Sequence, residues 1–188
     1  MIQHRRGVLG GLSVAVMGLS GLAQAAPRQP PFKPSLEEAR DMAAAFLAVY
    51  GRPRAVFRID QEEIELRPKR LVAITPTLAA LISEGVADGG PDGHAAHAET
   101  GLLRVDYVVR AGPTFRRAPS KVRFESRGDG FGEPPRWRVE DTGRGAVLRV
   151  EAGYTAQGCD DSVTETYALR PNRVERLSRK TGHDCRNR

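Results

Sequence analysis

The segment from residue 88 to residue 100 contains the densest group of potential metal ligands in the chain. These ligands are Asp88, Asp92, His94, His97 and Glu99. His94 and His97 are three residues apart, so one helical turn would bring both imidazoles to one side, with Glu99 as the base for a metal-bound water. Glycine is frequent in this segment, and a glycine-rich loop rarely holds ligands with the precision that a metal site needs. We therefore predict a polar loop without a tight metal site, and we expect no cofactor.

The chain has two cysteines, Cys159 and Cys185, both close to its C-terminal end. We predict that they form a disulfide, whose loop of roughly 27 residues would stabilise the fold by about 3–4 kcal/mol through the entropy of the unfolded chain. The alternative is a reactive or metal-binding thiol pair. The sequence lacks the Cys-x-x-Cys spacing of such a pair, and His183, beside Asp184 and Cys185, is more simply explained as part of a solvated tail.

Two arginine-rich clusters could bind a polyanion such as an anionic glycan, a lipid headgroup or a nucleic acid. The first cluster contains Arg116, Arg117, Lys121 and Arg123. The second lies in a terminal hairpin and contains Arg170, Arg173, Arg176, Arg179 and Lys180. Acidic residues interrupt both clusters, and too few aromatic side chains accompany them to form a stacking platform. We predict a solvated arginine-rich surface and no nucleic-acid partner.

Nucleophilic catalysis has little support in the sequence. Neither Gly-x-Ser-x-Gly nor Ser-x-x-Lys occurs between residues 26 and 188. A Cys-His or Ser-His pair would have to be assembled from His94, His97 or His183, which lie in the predicted loop and tail. We therefore assign no catalytic residues.

Residues 1–25 have the pattern of a cleavable export signal. Arg5 and Arg6 precede an apolar stretch from Gly7 to Leu22, and the small-residue triplet Ala23-Gln24-Ala25 follows. The arginine pair loosely resembles a twin-arginine motif, so both the Sec and the Tat routes stay open. We expect a periplasmic or secreted protein with no transmembrane segment after cleavage of the signal.

The rest of the chain is predicted to form one domain at residues 35–188, after a proline-rich extended segment at residues 26–34. Ser35 and Glu38 form a capping box at the start of an amphipathic helix, which Gly51 ends. A second helix is predicted from Thr75, as the N-cap, to about Gly85. Between these helices, residues 55–59 and 63–66 are short strands or an irregular connection.

Beyond Gly101 the apolar residues recur with a period of two. Strands are predicted around residues 103–109, 122–124, 137–139, 148–154, 163–169 and 173–177, with a tight turn at Pro171-Asn172. The order of elements predicts an α+β fold, in which N-terminal amphipathic helices pack on a curved antiparallel sheet of about five to six strands. The other face of that sheet is expected to be partly wet.

This order of elements resembles the nuclear transport factor 2-like, cone-shaped α+β fold, in particular its small exported bacterial members. The likeness is carried by Phe46–Tyr50, Ile74–Ile82, Gly101–Tyr107 and the late strands. The resemblance implies a concave pocket between helices and sheet, which some relatives use for catalysis and many use for binding. Asp106 could project into that pocket as an acid or base. Alternation with Leu103, Val105 and Tyr107 instead favours an outward-facing carboxylate.

From these observations we expect a non-catalytic, exported binding or accessory module of the bacterial cell envelope. Its partner would be an envelope protein or a small ligand. The alternatives are a cavity enzyme of hydrolase or isomerase type that uses carboxylate and histidine side chains, and a polyanion-binding protein that uses the arginine clusters.

Overall fold

The computed structural model describes residues 34–59, 62–87, 101–119, 122–128, 132–156 and 159–185. The predicted export signal, the extended segment up to residue 33 and the loop with His94, His97 and Glu99 lie outside these ranges. The predictions for those segments therefore stay predictions.

In the described ranges there is one α-helix, α1, which spans Leu36–Tyr50 and begins at the predicted capping box. The Glu38 N–H donates to Ser35 Oγ over 3.2 Å, and the Ser35 N–H donates to Glu38 Oε2 over 2.7 Å. Gly51 ends the helix at φ 71°, a left-handed conformation that favours glycine. This helix confirms the prediction. In the described part of the chain, no helix combines the length and apolar content needed to cross a membrane.

Among the residues that the structure describes, ten strands follow α1 and form two antiparallel sheets. The first sheet contains β1 (Ala55–Ile59), β2 (Glu62–Ala73), β3 (Leu78–Ala87), β4 (Leu102–Ala111), β5 (Thr114–Arg117) and β6 (Arg123–Arg127). Its order is β1-β2-β3-β4-β5, and β6 also pairs with β4. The second sheet contains β7 (Arg136–Asp141), β8 (Ala146–Ala156), β9 (Cys159–Arg170) and β10 (Arg173–Cys185), in the order β10-β9-β8-β7.

Strand β4 is the centre of the first sheet, and β5 and β6 share one of its edges. β3 occupies the other edge. β5 pairs with β4 from Val108 to Ala111, whereas β6 pairs with it from Leu102 to Asp106. β5 and β6 therefore pair with two neighbouring stretches of the same edge of β4.

The first sheet is covered on both faces. One face packs against α1 in a core that includes Phe46, Leu66, Leu81 and Val108. We call this side of the sheet the helix face. The opposite face packs against the second sheet. That core contains Ile82, Leu103, Val105, Leu148 and Leu169. The structure is thus a curled antiparallel sheet with one helix inside it and a second sheet on its outer face.

The prediction of a second helix from Thr75 is wrong, because residues 78–87 form β3. Thr75 starts a tight turn instead: its Oγ1 accepts the Leu78 N–H over 3.0 Å, and its own N–H donates to the Leu78 carbonyl over 3.0 Å. Leu81 and Ile82 are both fully buried, on opposite faces of the strand. A strand that is covered on both faces has a continuous apolar run, and periodicity alone does not separate such a run from a helix.

The prediction of one sheet with a partly wet face is also corrected. The first sheet has six strands, as expected, but the late strands form a separate sheet that covers its outer face. Besides this shared apolar core, a hydrogen bond and an aromatic contact join the sheets. Trp137 Nε1 donates to Glu84 Oε1 over 2.6 Å, and the rings of Phe124 and Tyr167 lie 4.6 Å apart between centroids.

The predicted disulfide is present. Cys159 and Cys185 are directly opposed at the open end of the β9–β10 hairpin, with their Cα atoms 4.0 Å apart. The predicted turn at Pro171-Asn172 closes the other end of the same hairpin. The bond therefore joins the two strand ends farthest from the turn.

We expect protein denatured without reductant to show no free thiols in a colorimetric thiol titration. The double variant Cys159→Ser, Cys185→Ser should lose about 3 kcal/mol of unfolding free energy, because its unfolded chain regains the entropy of the open loop. Urea titration followed by tryptophan fluorescence measures that loss. Two reactive thiols in the wild-type protein would contradict this assignment.

Candidate functional site

Two opposite charges are buried in the first sheet. Arg104 and Asp106 lie two residues apart on β4, so both side chains are on the helix face. Their residues are 2% and 3% exposed, respectively. Charges so deeply removed from water persist only when they are paired and hydrogen-bonded, and the neighbouring elements supply these partners.

The two side chains bind each other and two neighbours. Arg104 Nε donates to Asp106 Oδ2 over 2.8 Å, and Nη2 reaches Oδ1 at 3.4 Å. The third guanidinium nitrogen, Nη1, lies 3.0 Å from Oε1 of Glu125, the residue opposite Arg104 on β6. From the last residue of α1, the Tyr50 hydroxyl donates to Asp106 Oδ2 over 2.6 Å.

Aromatic rings enclose the guanidinium group. The Arg104 Cζ atom lies 4.6 Å from the centroid of the Phe57 ring and 5.6 Å from that of Tyr50. Phe57 belongs to β1, which is separated from β4 by two strands in the order of the sheet. This contact is possible only because the sheet curls around α1, so the curl and the buried pair belong together.

The protonation states follow from burial and from these contacts. Burial raises the pKa of Tyr50 far above its usual value, and the charge and hydrogen bond of Asp106 raise it further. For Arg104, burial alone would lower the pKa, but the hydrogen bond and charge of Asp106 outweigh burial, and the net direction is upward. At neutral pH the site therefore holds a neutral phenol and a charged guanidinium group.

A cavity of about 550 Å³ lies beside this pair, where β5 and β6 leave a gap along β4. Its lining residues come from β4, the end of β5, the connecting segment and the start of β6: Asp106, Tyr107, Arg117, Ala118, Pro119, Val122 and Arg123. We call it the β5–β6 cavity. It combines one buried carboxylate with two exposed arginines.

Both arginines are on the same face of the sheet as Asp106. Arg123 is directly opposite Asp106 in the strand register, and Arg117 is opposite Val108. Directly opposed residues in an antiparallel pair present their side chains to the same face. The charge of Arg123 acts to lower the pKa of Tyr50, in keeping with its position near the buried pair.

A second cavity, of about 530 Å³, lies between the end of β2 and the β7–β8 turn. Aliphatic and glycine residues form most of its lining. The carboxylate there, Asp141, accepts the N–H of Gly143 over 2.9 Å as part of the turn. We therefore place the candidate site at the β5–β6 cavity.

The arginines of the two predicted clusters differ in where they lie and in what they contact. Arg116 and Arg117 are on opposite faces of β5, and only Arg117 lines the cavity. In the terminal hairpin, Arg173 lies 3.0 Å from Glu175 and Arg176 lies 3.2 Å from Glu165. The hydrogen bond and charge of Arg173 accordingly lower the pKa of Glu175.

Sequence reasoning missed Arg104 and the role of Tyr50. The available signal was the spacing of Arg104 and Asp106, which places two opposite charges on one face of a strand that is otherwise apolar. Tyr50 is the last residue of α1, and the partner of its hydroxyl lies 56 residues away in the chain. No local pattern connects the two.

Comparison of the chain with models of known protein families, with curated proteins and with solved structures gives no match. The architecture itself is a cone-like, half-barrel α+β arrangement, in which a curled antiparallel sheet surrounds one helix.

We expect Asp106→Ala to lower the free energy of unfolding by about 3–5 kcal/mol, because it leaves the Arg104 guanidinium group buried without its main partner. The double variant Asp106→Ala, Arg104→Met should recover much of this loss, since both charges are then gone. Urea titration measures both changes. A loss under about 1 kcal/mol in the single variant would contradict a buried ion pair.

Stability should also fall at alkaline pH. The pKa of Tyr107 is raised to about 12 by burial, and that of Tyr50 is raised further. Above pH 10.0, the ordinary value for tyrosine, the unfolded chain loses these protons while the folded chain keeps them, so the folded state is progressively disfavoured. Each buried tyrosine contributes at most about 1.4 kcal/mol per pH unit.

Urea titrations between about pH 9 and 11.5 measure this slope. Tyr107→Phe and Tyr50→Phe should each reduce it. At pH 7 the two variants should differ: the Tyr107 hydroxyl is buried with no hydrogen-bond partner among the described residues, so its removal costs little. Removal of the Tyr50 hydroxyl breaks a bond to a charged group and should cost about 1.5–3 kcal/mol. Equal stabilities at pH 7 would contradict the assigned hydrogen bond.

Proposed function

We propose that this protein is a non-catalytic binding module whose β5–β6 cavity takes a small anion that carries a carboxylate or phosphate group. The observation that carries the proposal is the charge arrangement at the cavity: Arg117 and Arg123 line it, while the nearby carboxylate of Asp106 is already held by Arg104 and Tyr50.

The positive charge at the cavity is not cancelled by its surroundings. Asp106 and Glu125 both bind Arg104 at 3.0 Å or less. Arg123 Nε is 4.0 Å from Glu125, at the outer limit of an ion pair, and Arg117 has no charged partner within the described residues. Guanidinium groups offer paired donors that match the oxygens of carboxylates and phosphates. An anionic ligand would complete this arrangement.

The state of Asp106 supports binding over catalysis. Its Oδ2 accepts hydrogen bonds from Tyr50 and from Arg104, and its Oδ1 accepts another from Arg104. A general base needs a lone pair directed at the proton it removes, and these donors compete for the lone pairs of the carboxylate. Asp106 instead fixes the wall of the cavity.

The proposal extends to the setting in which the protein works. We place it outside the cytoplasm, exported through residues 1–25 and acting as an accessory module of the cell envelope. The Cys159–Cys185 disulfide supports this placement, because such bonds persist in oxidising compartments. The resemblance to the nuclear transport factor 2-like group supports a ligand-binding cavity.

One observation favours a second candidate, a cavity enzyme of hydrolase or isomerase type. Asp106 lines the β5–β6 cavity and is buried beside Tyr50, a phenol whose pKa is strongly raised. Buried titratable groups in a cleft are typical of active sites as well as of structural networks. In the enzyme, Tyr50 would act as a proton donor, and Tyr50→Phe would abolish turnover while the bound anion stayed in place.

The binding proposal is tested by calorimetric titration with inorganic phosphate and a series of linear dicarboxylates at low salt. We expect one member of the series to bind with a stoichiometry of one. Arg117→Gln and Arg123→Gln should each weaken its affinity about 10-fold, which corresponds to about 1.4 kcal/mol.

Arg116→Gln is the matched control, because it removes the same charge from the neighbouring position on the opposite face of β5. It should leave the affinity within about 2-fold of the wild type, a difference of about 0.4 kcal/mol. Equal weakening by Arg116→Gln and Arg117→Gln would show a general charge effect and would overturn the assignment of the cavity. Absence of binding across the series would overturn the anion proposal.

A further inference from the structure

The open end of the β9–β10 hairpin carries a second group of reactive side chains, distant in sequence from the β5–β6 cavity. Cys159 is opposite Cys185, and Asp161 is opposite His183, two residues along each strand. Side chains two residues apart on a strand share a face, so all four lie on one side of the hairpin. They form what we call the hairpin-end cluster.

The imidazole of His183 joins the other members of this cluster. Its Nδ1 lies 2.6 Å from Asp161 Oδ1, and its Nε2 lies 3.1 Å from the sulfur of Cys185. The candidate ligand atoms of Cys159, His183 and Cys185 all lie within 4.8 Å of one another. The His183 side chain is 65% exposed, so a solute can reach the group from solvent.

This arrangement has the orientation found around metal-bound histidines. There, one ring nitrogen donates to a carboxylate, which fixes the tautomer and aims the lone pair of the other nitrogen at the metal. Asp161 faces Nδ1 in this way, and Nε2 lies against the sulfur of Cys185, where it is placed to bind an ion held by that sulfur. In the oxidised protein the disulfide occupies the position that a metal would take.

The geometry points to a metal site that opens when the disulfide is reduced. In that state the thiolates of Cys159 and Cys185 and the Nε2 atom of His183 bind one borderline divalent cation of the zinc class. Two sulfurs and one imidazole nitrogen suit a tetrahedral ion, with the fourth position left to water.

The chemical step balances with an external thiol reductant. A dithiol supplies two electrons and two protons, the S–S bond breaks, and the dithiol leaves as its own disulfide. Cys159 and Cys185 are then thiols, held close by strands whose Cα atoms are 4.0 Å apart at this pair. Binding of the cation releases the two thiol protons to solvent.

The local charge favours a cation over two free thiolates. Asp161 lies within the cluster, and Asp160 and Asp184 are opposed on the other face of the same hairpin end. Binding of the cation converts both thiols to thiolates, and the divalent charge between the sulfurs offsets their negative charge beside the Asp161 carboxylate. All of these residues belong to the end of the β9–β10 hairpin. The metal site therefore uses no residue of the β5–β6 cavity and does not depend on the proposed anion binding.

The test is a cobalt(II) titration of the full chain, once oxidised and once reduced with a phosphine, followed by competition with zinc. Thiolate-to-cobalt charge-transfer absorption reports sulfur ligands, and the visible bands report tetrahedral geometry. We expect the reduced protein to bind one equivalent with both signatures and the oxidised protein to show neither. Cobalt held by histidines elsewhere in the chain would give no charge-transfer band.

Three variants locate the ligands. His183→Ala should weaken cobalt binding at least about 10-fold and change the visible bands, because a nitrogen ligand is lost. Asp161→Asn should weaken binding by about 10-fold or more, as loss of such a supporting carboxylate does at known sites. Asp184→Asn is the matched control: it removes the same charge from the opposite face of the hairpin and should change the affinity less than about 3-fold.

Three results would overturn the proposal. The first is a reduced wild-type protein that shows no charge-transfer band. The second is a His183→Ala variant that binds as tightly as the wild type. The third is equal weakening by Asp184→Asn and Asp161→Asn, which would show only the effect of general negative charge. Near-ultraviolet circular dichroism of Trp137 checks that each reduced variant keeps its tertiary packing.

Discussion

The buried pair of Arg104 and Asp106 constrains the position of every element around it. β4 carries both charges on a face from which water is excluded, so the surrounding structure must supply their partners. Tyr50 comes from the end of α1, Glu125 from β6 and the ring of Phe57 from β1. The C-terminal end of α1 and the strands β1 and β6 are therefore held around one point on β4. The curl of the first sheet follows from this requirement together with the packing of α1 in its concavity.

The same pair distinguishes the two faces of β4, which are otherwise both apolar. A shift of one residue in the pairing of β4 would turn Arg104 and Asp106 toward the second sheet, among Leu148 and Val150, where their partners are absent from the described structure. Two apolar residues could stabilise a core as well as an ion pair does, but they would fit either face. We interpret the pair as a device that fixes the register, with a smaller contribution to net stability.

The features that the sequence predicts correctly have local signals. The capping box of Ser35 and Glu38 starts α1 because both partners lie within one turn. β3 was misassigned because Leu81 and Ile82 are each buried by a different layer, and one of those layers is a sheet formed much later in the chain. The alternation of polar and apolar residues correctly predicted that Asp106 lies on the opposite face of β4 from Leu103, Val105 and Tyr107. The face of β4 that carries Asp106 is also buried, because α1 and β1 fold over it. The sequence near Asp106 gives no indication of these contacts.

The shared edge of β4 has a consequence for how such a protein can diversify. β5 and β6 pair with the same edge of β4, and beside β5 the Ala118 N–H donates to the Tyr107 carbonyl over 2.9 Å. The wall of the cavity is thus an interruption in the ladder along one edge of β4. Ala118, Pro119 and Val122, which lie between the two strands, contribute to the lining, but Arg117 and Arg123 are themselves paired with β4. The framework of the sheet and the charge of the cavity are therefore encoded in the same short stretches of sequence, so that a change of either arginine also changes a strand of the framework.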